Sequence, residues 1–101
     1  DNLIETSNTY MDIFISQNKV LIEEGFNISD TVYIYQASVL YKYYLVCSYY
    51  IFDSEIFSQR KKILKEVNKL LTNTAKMNKH KFYIWLNTVK ILFNKLLKRI
   101  I

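Results

Sequence analysis

Few side chains in this chain could carry chemistry, and their spacing decides what they can do. His80 is the only histidine and Cys47 the only cysteine, and they fall on different predicted elements. Neither a metal cluster nor a nucleophilic triad can be assembled from them. Asp53-Ser54-Glu55 has the look of an acidic triplet able to hold a divalent metal, but such triplets normally follow a strand. Here it separates two helical stretches, where Asp or Ser as N-cap and Glu in the first turn are the expected use. With Gly25 the only glycine, no Gly-rich phosphate loop can exist. These patterns predict no catalytic residue, no cofactor and no metal site: by itself the chain is not expected to be an enzyme.

The remaining chemistry is electrostatic. The net charge is +5, unevenly spread. Residues 1–30 hold six acids against Lys19, whereas residues 59–101 hold twelve bases against Glu66 alone. Such a dipolar chain predicts acidic and basic helices facing each other, or a basic half meeting an anionic surface. Lysine dominates and only Arg60 and Arg99 could make bidentate contacts, so sequence-specific nucleic-acid recognition is not expected. The C-terminal segment concentrates the signal. Phe82, Trp85, Leu86, Val89, Leu92, Phe93, Leu96, Leu97 and Ile100 share an arc of about 140° at 3.6 residues per turn. Lys90, Lys95, Lys98 and Arg99 lie outside that arc. Trp85, Lys90, Lys95, Lys98 and Arg99 are therefore candidates for a membrane or partner surface. The same apolar face could instead complete a helical core, the commoner fate of such a stripe, and both uses stay open.

The elements that must position these residues follow from composition. A chain of 101 residues allows one domain. One glycine, no proline and 16% aromatics disfavour the tight hairpins of an all-β fold and favour helices. Periodicity and caps predict helices over about 2–24, 31–52, 55–71 and 80–101, with a polar loop over 72–81. Leu3, Tyr10, Ile13 or Phe14, and Leu21 mark the first, which Gly25 should cap in a left-handed conformation. Ser29 or Asp30 should cap the second through a side-chain oxygen. That second helix, TVYIYQASVLYKYYLVCSYYIF, carries seven tyrosines and a single charge, Lys42. Apolar all round, it should be the enclosed central post. It is long enough to span a bilayer, but its tyrosines, Gln36, Ser38, Lys42 and Ser48 suit a core helix better. Ile56, Ile63, Val67, Leu70 and Leu71, with Leu64 at the edge, form one face of the third. The expected fold is all-α, a small four-helix bundle-like domain with Cys47 buried and inert.

No secretory signal is visible in the acidic, amphipathic first thirty residues. A lone buried thiol fits a reducing compartment, so a cytoplasmic setting, peripheral at the inner face of the membrane, is expected. The start at Asp1 suggests a processed product or a piece of a longer chain.

Three segments carry a family likeness. SQRKKILKEVNKLL, the polar loop after it, and KFYIWLNTVKILFNKLLKRII resemble the helical C-terminal region that bacterial family-2-type glycosyltransferases for capsular or other surface polysaccharides carry beyond their catalytic domain. LIETSNTYMDIFISQN looks like the first helix after that domain. The likeness covers most of the chain and includes no catalytic strand, nucleotide-binding segment or acidic triplet in its strand setting. It implies an accessory domain without chemistry of its own, partnered by the catalytic domain of a parent chain or by another protein. Small basic helical bundles such as bacteriocin immunity proteins, which bind partners at the membrane, are the alternative class.

Overall fold

The computed structural model describes residues 2–74 and 79–100, with side-chain surroundings for 2–74, 86–96 and 98. Four helices follow one another: α1 (Asn2–Glu23), α2 (Asp30–Cys47), α3 (Ser54–Thr72) and α4 (Lys79–Ile100). No strand occurs among the described residues, and the fold is all-α.

The helix ends show why the chain breaks where it does. Gly25 adopts φ +86°, the left-handed conformation that favours glycine. The Phe26 N–H then donates to the Leu21 carbonyl at 2.9 Å and the Gly25 N–H to the Ile22 carbonyl at 3.0 Å, a Schellman closure of α1. Ser29 does occupy the N-cap of α2, but its side chain makes no capping hydrogen bond. Its backbone carbonyl instead accepts from Val32 and Tyr33.

The end of α2 departs from expectation: the helix stops at Cys47, not Phe52. The Ser48 N–H divides between the Tyr44 and Leu45 carbonyls, and its hydroxyl donates back to Tyr44 at 2.8 Å. Tyr49, Tyr50 and Asp53 N–H groups then reach only three residues back, each at 3.1 Å. Tight turns of this kind end a helix without any glycine or proline. Downstream, Asp53 is extended (φ −104°, ψ 101°) and its carboxylate accepts from the Glu55 and Ile56 N–H groups at 3.1 Å. Capping is thus the use made of the Asp53-Ser54-Glu55 triplet.

The core lies between α2 and α3, the most extensive helix pair, with α1 packed on both. Tyr33, Ala37, Leu40, Tyr41, Leu45 and Cys47 of α2 are buried. They meet Ile56, Ile63, Val67, Leu70 and Leu71 of α3, the face expected for that helix. The molecule measures 47 × 29 × 19 Å, so its thin dimension holds two helix layers of roughly 10 Å each. In so thin a slab even the central helix keeps an outer side. Val32, Tyr35 and Lys42 occupy it, so α2 is central without being enclosed on every side.

The buried stripe of α1 matches the expected one only in part: Leu3 packs against the core and Phe14 is buried, but polar residues share the stripe. Ser7, Met11, Phe14 and Asn18 point inward, whereas Tyr10, Ile13 and Leu21 are exposed. Two sets of polar contacts explain the difference. Asn18 Nδ2 donates to Gln36 Oε1 at 2.8 Å and Gln36 Nε2 to Asn18 Oδ1 at 3.0 Å, so two buried amides satisfy each other. Near the other end of α1, Gln59 Nε2 donates to Ser7 Oγ at 2.9 Å and to Asn8 Oδ1 at 2.8 Å. Lys62 Nζ also donates to Asn8 Oδ1. Among the described residues no buried side-chain polar atom lacks a partner.

Candidate functional site

The candidate surface residues lie on α4, which runs its full length as one helix. Its apolar arc divides. Leu86 is buried at 2% exposure, and Phe93 is half-buried with its ring 6.0 Å from that of Tyr49. Farther along, Leu92 and Leu96 stand 61% and 55% exposed, and off the arc Ile91 is exposed as well. Val89, Leu92, Phe93, Lys95 and Leu96 line an open apolar groove. Among the described positions the helix therefore turns Leu86 and Phe93 to the core and leaves Leu92 and Leu96 uncovered, a division that periodicity alone cannot see.

Lys90, Lys95 and Lys98 are all exposed, and none forms an ion pair with a described acid. An exposed apolar surface edged by uncompensated lysines can insert into an interface and attract anions there. The side chains of Trp85 and Arg99, the other two candidates, lie outside the described residues, as do those of Phe82, Leu97 and Ile100. A second lysine-rich strip, Lys61, Lys65 and Lys69 beside Leu64, belongs to α3.

The expected pairing of acidic with basic helices is not what joins them. The side-chain hydrogen bonds between α1 and α3 run from Gln59 and Lys62 to Ser7 and Asn8. Glu5, Asp12, Glu23 and Glu24 form no ion pair with a described base; Lys69 meets Glu66 of its own helix at 3.4 Å. The dipolar charge distribution thus stays on the surface, available to an outside partner.

Of the groups that could have carried covalent or metal chemistry, Asp53 caps α3 and the His80 side chain lies outside the described residues. Cys47 is fully buried, and burial pushes its thiol above the ordinary value, opposed by the positive charge of Arg60. Arg60 itself lies 3.5 Å above the Phe57 ring and 5.7 Å from that of Tyr44, a cation–π stack on the outside of the α2–α3 pair. No group of three potential metal ligands occurs among the described residues. No described helix is long and apolar enough to cross a membrane.

One surface feature escaped the reading of the apolar run as continuous helix. Tyr49, Tyr50, Ile51 and Phe52 are exposed in the turn between α2 and α3, and Phe52 reaches 102% of its reference exposure. The signals that could have placed them there are Ser48, whose hydroxyl bonds back one turn, and Asp53, a cap that requires extended backbone before α3. Comparison with family models, curated proteins and solved structures finds no match to this chain.

Proposed function

We propose that this chain is a non-catalytic helical accessory domain that holds a larger assembly at an anionic membrane surface through α4. The observation that carries the reading is the uncovered stretch of that helix's apolar face. Leu92 and Leu96 remain uncovered beside the exposed Lys90, Lys95 and Lys98. Each base near an anionic leaflet contributes about 1 kcal/mol, and the exposed leucines add an apolar part that salt does not screen. The resemblance of the α3–loop–α4 segment to the tail of surface-polysaccharide glycosyltransferases supplies the assembly: a catalytic domain whose work lies at the membrane.

Vesicle sedimentation tests the reading, with anionic and neutral vesicles at low and moderate salt. Trp85 fluorescence, from the sole tryptophan, is followed in parallel. Retention on anionic vesicles that weakens with salt, together with a blue shift of Trp85, is the expected result. Replacing Lys90, Lys95 and Lys98 by Gln should reduce retention sharply. If nothing sediments with anionic vesicles at low salt, α4 is a structural helix and the membrane role is lost.

A further inference from the structure

The turn between α2 and α3 presents four consecutive apolar side chains to solvent. Tyr49 and Tyr50 are roughly half exposed, Ile51 is 67% exposed, and Phe52 is entirely clear of the protein. Isolated exposed apolar residues are ordinary, but a contiguous run at the tip of a turn marks a contact site. The turn is built firmly. Three successive backbone bonds, Tyr49 to Val46, Tyr50 to Cys47 and Asp53 to Tyr50, hold it at 3.1 Å. Asp53 then anchors its far end on the start of α3.

We propose that this turn is a second membrane-inserting element, acting with α4 on the same lipid surface. The proposal rests on the membrane reading of α4 and adds to it. Three observations select lipid as the occupant. The turn is continuous with the α4 surface, because the Tyr49 ring packs on Phe93, the neighbour of Leu92 in the open groove. Phe52 projects outward, fully exposed, a shape that enters a soft interface without requiring a matching pocket. The order Tyr-Tyr-Ile-Phe places amphipathic rings, which favour the headgroup level, before two side chains suited to the hydrocarbon boundary. Charge agrees. The exposed lysines of α4 supply attraction, and the two acids beside the turn, Asp53 and Glu55, both sit at the N-terminus of α3, whose partial positive charge offsets them.

The test moves the fluorescent reporter. In the full chain, Trp85→Phe combined with Phe52→Trp leaves one tryptophan, at the turn. On anionic vesicles this probe should shift blue and be quenched by bromine on the lipid acyl chains. In the otherwise unaltered protein, Phe52→Ser should weaken vesicle partitioning about tenfold or more, from the apolar burial forgone. Phe52 touches nothing, so circular dichroism should be unchanged. If the protein binds vesicles but the probe stays unquenched and Phe52→Ser binds normally, the turn has no membrane role and α4 acts alone. If neither the parent nor the variants bind, both readings fall. A probe already blue in buffer, more so at higher protein concentration, would mean the turn is covered by a second copy and would overturn the lipid assignment.

Discussion

Replacing one member of the Asn18–Gln36 pair should cost far more than replacing both. The two amides are 8% and 3% exposed and bond reciprocally at 2.8 and 3.0 Å, so each supplies one donor and one acceptor to the other. Gln36→Leu would leave the Asn18 amide buried with neither bond, and a buried polar group left unsatisfied costs about 1–3 kcal/mol. Allowing for partial relaxation toward solvent at Asn18, each single replacement should destabilise by about 2 kcal/mol. With Asn18→Leu added, no orphaned group remains and the gained apolar contact offsets the lost bonds. The double variant should then lie within about 1 kcal/mol of the parent, giving a coupling near 3 kcal/mol, the upper end for contacting residues. Urea denaturation of the four proteins at one pH and temperature closes the cycle. Costs that simply add would refute the reasoning, because the amides would then be bonding to water and not to each other.

Other expectations follow from single sites. Leu45→Ala should lose about 2–5 kcal/mol in urea titration, since Leu45 is 3% exposed; a change within error would place that face of α2 outside the core. Gly25→Ala should cost about 1 kcal/mol from backbone strain alone, because a Cβ there meets nothing within 4 Å, whereas a loss of several kcal/mol would mean a hidden contact. Burial raises the Cys47 thiol above its ordinary value of 9.0, so on raising the pH the unfolded chain loses this proton first. Stability from this group is therefore complete below that value and declines above it. Urea midpoints measured from pH 7 upward should fall less steeply in Cys47→Ala, and parallel curves would remove the thiol from the account.

How much of this molecule could be read from its residues differs from helix to helix. The face of α3 was fully legible, because Ile56, Ile63, Val67, Leu70 and Leu71 keep helical spacing against a lysine background. Only Gln59, buried in the same face, gave no apolar signal. On α1 only Leu3 and Phe14 of the expected apolar positions meet the core, while Ser7 and Asn18 sit inside because partners on α2 and α3 match their polar atoms. A polar residue whose partner is distant in sequence cannot be recognised by periodicity. The apolar run after Thr31 showed correctly that α2 is central, but not where it ends, since the stop comes from local hydrogen bonding by Ser48 and the cap at Asp53. For α4, the stripe and its lysines were visible. Which part of the stripe meets the core depends on where the neighbouring helices end, and Leu86 and Phe93 reach them while Leu92 and Leu96 do not.

The polar bonds that hold α1 also bear on the order in which the chain assembles. The α2–α3 hairpin closes over residues 48–53, a loop so short that bringing its arms together costs little entropy and takes on the order of 10–100 ns. Its packing is dominated by side chains that need no exact partner to begin collapsing. α1 has different requirements. Asn18, near one end, must find Gln36 on α2, while Ser7 and Asn8, near the other, must find Gln59 on α3. Those acceptors and donors stand in fixed relation only once the hairpin exists. The first helix in the chain is thus expected to dock last, because a hairpin formed one residue out of register would offer the two amides at the wrong separation and fail to hold it.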